Sequence, residues 1–226
     1  MRVGDSWRKL ASSDLGVLVL LAIAEVLLHA VTNGQYGFHR DELATLDDAR
    51  SLAWGYVAYP PLTPFLARIA FILFGPSLIG LRFFAAVALG LVLVLTGLMA
   101  RHLGGGRQAQ IVAALAAAIG GVAFSAGTLF QYVSFDYLCW VAAAHFMVRL
   151  LTSDDPRWYL AVGIAIGLGM LTKYTMMFLV VGIAAGFLFT PARRYLRKPC
   201  CRSVNLRLLC ASEKSGLSRT AWLLIP

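Results

Sequence analysis

The longest apolar run of the chain is LIGLRFFAAVALGLVLVLTGLMA, residues 78–100. Its one charged residue is Arg82, which lies near the start of the run. A helix needs about 20 apolar residues to cross the hydrocarbon core of a bilayer. The run is therefore long enough to cross a membrane, and it predicts an integral membrane protein.

Shorter apolar runs occur on both sides of this stretch. They cover residues 15–31, 109–126, 135–151, 158–171 and 174–190. The lower length limit of a membrane span is about 17 residues, so the run 158–171 has to extend into its flanks to cross. Together the runs predict an all-α, polytopic integral membrane protein with about six transmembrane helices.

The composition supports this fold class and excludes others. Of the 226 residues, 59% are hydrophobic and only 14% are charged, whereas a soluble domain has roughly 45–50% apolar and about 25% charged residues. The net charge is +9, but the basic residues form short clusters between apolar runs and no continuous basic face. We therefore expect membrane lipid as a partner and no nucleic acid.

The basic residues also predict the orientation of the chain. Lys and Arg are concentrated in cytoplasmic loops of membrane proteins. Most of them lie inside if the N-terminus is cytoplasmic, and this places residues 32–77 outside. Within this outer loop, residues 41–54 predict an amphipathic helix in the membrane interface, and residues 62–74 predict a second short helix that ends at Gly75-Pro76.

This orientation brings charged residues from four separate segments to the outer face: Asp41, Glu42, Arg82, Asp136 and Lys173. Opposite charges at a membrane interface are costly unless they pair or bind something, so we expect a site there. Carboxylates can orient or deprotonate an acceptor, and a lysine can hold a phosphate. Structural alternatives stay open: Asp41 and Asp136 can cap helices, and Lys173 can extend to the interface from a helix end.

The histidines carry less information. Glu25 and His29 share one face of the first predicted helix, as a structural pair or a proton relay. His102 and His145 are expected at solvated or interfacial positions. The spacing of His, Cys, Asp and Glu predicts no metal site.

An ordered set of motifs runs through the chain. The main ones are Phe38-His39-Arg40-Asp41-Glu42, Tyr59-Pro60-Pro61-Leu62, Leu81-Arg82, Ser134-Phe135-Asp136 and Leu171-Thr172-Lys173-Tyr174. This set resembles the bacterial branch of the dolichyl-phosphate-mannose protein mannosyltransferase family, in the glycosyltransferase C superfamily. That branch includes the aminoarabinose transferases that modify lipid A. The resemblance extends over residues 10–198.

The resemblance implies a membrane glycosyltransferase. Such an enzyme moves a sugar from a polyprenyl-phosphate donor to an extracytoplasmic acceptor, which is a lipid, a glycan or a protein. It also implies the inner membrane of a bacterium, with the active site facing the periplasm or exterior. The catalytic residues would be Asp41 and Glu42, and the substrate-binding residues Arg40, Tyr59, Pro60, Pro61, Arg82, Asp136, Lys173 and Tyr174.

Two features depart from the family pattern. Some relatives have an acid or His just before the two prolines, near a metal or the donor, but this chain has Ala58 and Tyr59 there. We therefore assign no metal ligand and no cofactor, and a divalent metal stays open. The second departure is that family members continue with further membrane helices after the position of Lys198. Residues 1–198 are expected to form the N-terminal part of the family domain. Residues 199–226 are expected to be an atypical tail that is frameshifted or disordered, with a genuine cytoplasmic tail as the alternative.

Two other functional classes stay open. A small membrane transporter would have a similar polytopic pattern, but it would need acids or broken helices near the midplane in repeated halves. A truncated, non-catalytic remnant of the glycosyltransferase would keep the fold and lack part of the site.

Overall fold

The computed structural model describes residues 13–153 and 155–191, and the regular structure in these ranges is entirely helical. The predicted all-α class is therefore confirmed for the described residues. In chain order the helices are α1 (Asp14–Thr32), α2 (Arg40–Arg50), α3 (Leu62–Phe74), α4 (Leu78–His102), α5 (Arg107–Ile119), α6 (Gly121–Thr128), α7 (Tyr132–Ser153), α8 (Arg157–Met170) and α9 (Met176–Phe189).

Helix α4 is the centre of the fold. It packs against α1, α3, α5, α6 and α7, and its buried face is built largely from small residues such as Ala85 and Ala88. At Gly90 a side chain would lie 3.3 Å from the backbone oxygen of Ala22 in α1. Small residues at such crossings let apolar helices pack backbone to backbone.

In the described ranges, two helices, α1 and α4, are long and apolar enough to cross a membrane. The predicted span at 109–126 is instead two short helices, because the chain is extended at Gly120 between α5 and α6. Glycine is a poor helix former and adopts such a break at little cost. The runs at 158–171 and 174–190 form the 14-residue helices α8 and α9. Six crossings are therefore not confirmed.

The two helices of the predicted outer loop, α2 and α3, pack against each other. Helix α2 ends at Arg50 and not near Trp54, because the Tyr56 hydroxyl accepts a hydrogen bond from the Ala53 N–H at 2.9 Å and donates to the Asp48 carbonyl at 3.1 Å. Helix α3 has the predicted bounds. It ends at Gly75, whose φ of 66° strongly favours glycine.

The chain divides into two compact units, residues 1–181 and 182–226. The described part of the second unit is the end of α9 and the following residues to Pro191. The predicted boundary at residue 198 and the predicted tail lie outside the described residues.

Candidate functional site

The start of α2 is fixed by a reciprocal pair of hydrogen bonds. His39 is the N-cap residue, and its Nδ1 accepts from the Asp41 N–H at 3.3 Å. The Glu42 carboxylate accepts from the His39 N–H at 2.8 Å. This is a capping box with His in place of the usual Ser or Thr. Asp41 is therefore not the cap, and its carboxylate is free to face other elements.

Glu42 and Arg82 form a buried ion pair below this helix start. The guanidinium donates to both carboxylate oxygens, at 2.8 Å from Nε and 2.7 Å from Nη2. The side chain of Glu42 is 0% exposed and that of Arg82 is 2% exposed. With the His39 N–H and the two Arg82 groups, the Phe130 N–H is the fourth donor to Glu42, at 2.9 Å. The pair thus ties α2 to α4 and to the segment before α7.

Arg82 uses its remaining N–H groups within the protein. They donate to the carbonyls of Asn33 at 2.6 Å, Gly37 at 2.9 Å and Tyr36 at 3.4 Å. All five donors of the guanidinium therefore have protein acceptors. Arg82 was predicted to bind substrate; in the structure its guanidinium faces Glu42 and the backbone carbonyls of the predicted outer loop.

Burial alone would raise the pKa of Glu42. The hydrogen bonds from Arg82, Phe130 and His39, together with the positive charge of Arg82, outweigh that effect and hold the pKa below its ordinary value. Glu42 is therefore a carboxylate whose hydrogen-bonding capacity is taken up by the fold.

Asp41 presents the opposite situation. Its side chain is 46% exposed, its Oδ2 accepts from Gln131 Nε2 at 3.1 Å, and its Oδ1 accepts from Arg40 Nε at 3.4 Å. The Arg40 side chain is 93% exposed. A reactive carboxylate needs access to its substrate, and Asp41 has this access where Glu42 does not.

Tyr132, which follows Gln131, contacts Lys173, the residue predicted to hold a phosphate. The Lys173 ammonium lies 4.6 Å from the centre of the Tyr132 ring, a cation–π contact. It forms no ion pair with a carboxylate of the described residues. The next residue, Tyr174, is 68% exposed. No salt bridge within the described residues therefore occupies the N–H groups of Lys173.

Tyr59 joins the two sides of the site. Its ring centre lies 5.8 Å from that of Tyr132, and its hydroxyl donates to Asp48 Oδ2 at 2.6 Å. Burial and the hydrogen bond to Asp48 raise the pKa of Tyr59 to about 12. The Leu62 N–H donates to the Leu171 carbonyl at 3.0 Å, so the turn at the buried Pro60 and Pro61 is held beside Lys173.

Asp136 lies one turn further along α7 and connects the site to a cavity. Its Oδ2 accepts from Thr175 Oγ1 at 3.2 Å. The cavity has a volume of about 380 Å³ and its lining is otherwise mostly apolar, including Met99, Val133, Tyr137, Trp140 and Leu179.

Four of the residues predicted for the site therefore lie at or next to the start of α7: Asp41, Tyr59, Asp136 and Lys173. Three contributors were not expected from the sequence: His39, Gln131 and Tyr132. The polar and aromatic pair just before the apolar run at 135–151 was the available signal for the last two. In the described part of the chain, no group of three or more His, Cys, Asp or Glu side chains is arranged to hold a metal ion.

Comparison with known proteins identifies the family of the chain. The model of the dolichyl-phosphate-mannose-protein mannosyltransferase family matches residues 58–211, which is more than half of the chain. The chain belongs to this family. No curated protein and no solved structure matches it.

Membership in the mannosyltransferase family establishes the function at a coarse level. The family implies a membrane-associated protein and transfer of a glycosyl group from a polyprenyl-phosphate sugar. The matched segment contains Tyr59, Pro60, Pro61, Arg82, Asp136, Lys173 and Tyr174, and it includes residues 199–211 of the predicted tail. Arg40, Asp41 and Glu42 precede the matched segment.

Proposed function

We propose that this chain transfers a glycosyl group from a polyprenyl-phosphate-linked sugar to an acceptor outside the cytoplasm, at the site between α2 and the start of α7. One observation carries the proposal: Asp41 and Lys173 contact the adjacent residues Gln131 and Tyr132. An accessible carboxylate and a lysine that forms no salt bridge in the described structure thus flank one helix start. Transfer from a phosphate donor needs both, a base for the acceptor and a cation for the leaving group.

In the proposed reaction Asp41 takes the proton of the acceptor hydroxyl. The hydroxyl oxygen forms a bond to the anomeric carbon of the sugar, and the bond from that carbon to the phosphate oxygen breaks. Polyprenyl phosphate leaves with the electron pair. Lys173 and the exposed Arg40 offset the negative charge that develops on the phosphate.

Glu42 and Arg82 act in this proposal as positioning residues. Their bonds reach Phe130 and His39, so the same buried pair sets both the start of α2 and the segment before α7. The relative position of Asp41 and Gln131 depends on both elements. A role in positioning fits the burial of Glu42 and Arg82 better than direct contact with substrate.

The cavity beside Asp136 is proposed to receive the first isoprene units of the donor, because its lining is apolar apart from that carboxylate. Tyr59, Pro60 and Pro61 shape the entrance on the other side of Tyr132, and Tyr174 is exposed for contact with lipid or substrate. The proposed location is the inner membrane of a bacterium, with about six crossings and with α2 and α3 outside. The bias of Lys and Arg in the sequence supports this orientation.

The test is transfer of labelled mannose from polyprenyl-phosphate mannose by membranes that contain the full chain. We expect Asp41→Asn to lower turnover by about 10²- to 10⁴-fold, which is typical for loss of a general base. The fold should be retained, because the helix cap is His39 and an amide can still accept the Gln131 hydrogen bond.

The matched control is Asp47→Asn. Asp47 lies on the same helix and is 82% exposed, and its only ion pair in the described structure is with Arg50 at 3.8 Å. It should keep full turnover. Equal turnover in Asp41→Asn and in the unaltered chain would remove Asp41 as the base. Absence of mannose transfer by the unaltered chain would exclude mannose as the sugar, and absence of transfer from polyprenyl-phosphate aminoarabinose as well would favour the non-catalytic remnant.

A further inference from the structure

A second cluster of polar and aromatic side chains lies far from Asp41. It consists of His102 at the end of α4, His145 and Arg149 in the second half of α7, and Trp158 at the start of α8. Along α4, His102 lies about 30 Å beyond Arg82 at a rise of about 1.5 Å per residue. That is about the thickness of the hydrocarbon core of a bilayer, so the cluster is at the opposite end of the bundle from α2.

A buried histidine, His145, distinguishes this cluster from an ordinary basic helix end. His145 was expected at a solvated or interfacial position, but it is only 5% exposed. Its ring centre lies 5.5 Å from that of His102, and the ring approaches the backbone of Leu95. Its Nδ1 is buried and has no hydrogen-bond partner. A buried nitrogen in this state is costly unless a ligand or water completes it.

Arg149 is held in place without an acidic partner. Its Nη1 lies 3.3 Å from Nε2 and 3.4 Å from Nδ1 of His102. Its guanidinium carbon lies 4.5 Å from the centre of the Trp158 ring, and Phe146 stacks against that ring at 5.8 Å. No carboxylate of the described residues forms an ion pair with Arg149.

Two further basic residues adjoin the cluster. Arg101 precedes His102 on α4, and Arg157 precedes Trp158 on α8. The described acid next to the start of α8 is Asp155, and its Oδ1 accepts from the Arg157 N–H at 3.0 Å. Cations at helix C-termini complement the helix dipole, but this effect does not explain an unpartnered nitrogen inside the cluster.

We infer that His102, His145 and Arg149 bind a phosphate group at this end of the bundle. A guanidinium with unused N–H groups suits the oxygens of a phosphate. The ring N–H of a neutral imidazole can supply a further donor to a phosphate oxygen. The phosphate comes either from the headgroup of an anionic phospholipid or from a soluble phosphate. This site is independent of the proposed transferase site and of its donor.

The test uses the purified full chain in neutral detergent and follows its tryptophan fluorescence. One titration adds inorganic phosphate, and the other adds short-chain phosphatidylglycerol, with phosphatidylcholine as the neutral reference. We expect saturable quenching that is lost in Trp158→Phe, since that ring contacts Arg149. Saturation by inorganic phosphate identifies a soluble ligand, and saturation by phosphatidylglycerol alone identifies a lipid headgroup.

The variants locate the site. Arg149→Gln and His145→Gln should each raise the Kd about tenfold or more, the size expected for loss of a hydrogen bond to a charged group. Arg157→Gln removes the same charge from an exposed side chain nearby and should leave the Kd within about twofold. If Arg149→Gln does not fold, the Kd of His145→Gln tests the inference. Absence of saturable binding in the unaltered chain, or equal weakening in Arg157→Gln and His145→Gln, would overturn the inference.

Discussion

The buried pair of Glu42 and Arg82 predicts a large effect from a single substitution. Arg82→Met removes the guanidinium and leaves the Glu42 carboxylate 0% exposed, with only the N–H groups of His39 and Phe130 as donors. It also leaves three backbone carbonyls without this donor. Removal of one partner from a buried ion pair costs about 3–5 kcal/mol. We expect the melting temperature to fall by on the order of 10 °C.

The assay is thermal unfolding of the purified chain in detergent. The fraction of the chain that stays folded after heating is measured by size-exclusion chromatography with fluorescence detection. The matched control is Arg50→Met. Arg50 pairs with Asp47 at 3.8 Å, and the side chains are 73% and 82% exposed. An exposed pair contributes about 0–1 kcal/mol, so the control should melt close to the unaltered chain.

A double variant separates the charge from the packing. Arg82→Met with Glu42→Gln removes the uncompensated buried charge, and it should melt higher than Arg82→Met alone. If Arg82→Met melts within about 2 °C of Arg50→Met, the pair does not organise the outer loop and the reasoning is refuted.

The pH dependence of the pair follows from the same contacts. The pKa of Glu42 in the folded chain lies below its ordinary value, so the pair stabilises the fold fully above that ordinary value. The stabilisation is lost as the pH falls through the lower folded pKa. The difference in melting temperature between the unaltered chain and Arg82→Met should therefore shrink in acid.

Three further predictions follow from the site and the orientation. In a background without native cysteines, a cysteine at Ser51 should react with an impermeant thiol reagent on intact cells and one at Ser153 should not; the reverse pattern would contradict the orientation. Lys173→Gln should raise the KM for the polyprenyl-phosphate donor about tenfold or more, as loss of a charged contact to phosphate predicts, and an unchanged KM would remove its role. Tyr59→Phe should destabilise the fold by about 1–3 kcal/mol, because Asp48 loses its 2.6 Å donor; equal melting temperatures would show that the bond contributes nothing.

Local patterns of the sequence were sufficient for several elements. The apolar run at 78–100 predicts α4 because hydrophobic length is a property of the run itself. The bounds of α3 follow from Pro61 before it and Gly75 after it, which are local signals for the start and end of a helix. The break at Gly120 and the early end of α2 were missed. The end of α2 depends on Tyr56, whose hydroxyl folds back onto Asp48, and sequence spacing does not encode that contact.

The candidate site was predicted in part. Counting crossings and charges predicted that Asp41, Arg82, Asp136 and Lys173 share one side of a membrane. The sequence interpretation named Asp41 as the base and Glu42 as a supporting acid, but sequence could not show that Glu42 is buried and Asp41 accessible. They are adjacent on one helix, and only the packing of α2 against Arg82 buries one and exposes the other.

By itself the sequence determined a basic, strongly apolar, all-helical chain and carried the motifs of its family, because composition, run length and motif order are one-dimensional properties. The tertiary structure decided which charges are available. Glu42 and Arg82 are 40 residues apart and neutralise each other. Asp41 and Lys173 contact the adjacent residues Gln131 and Tyr132 at the start of α7; Asp41 is 46% exposed, and Lys173 forms no salt bridge in the described structure. The physical reason is that desolvation and hydrogen bonding depend on distance in space, and these pairs are remote along the chain.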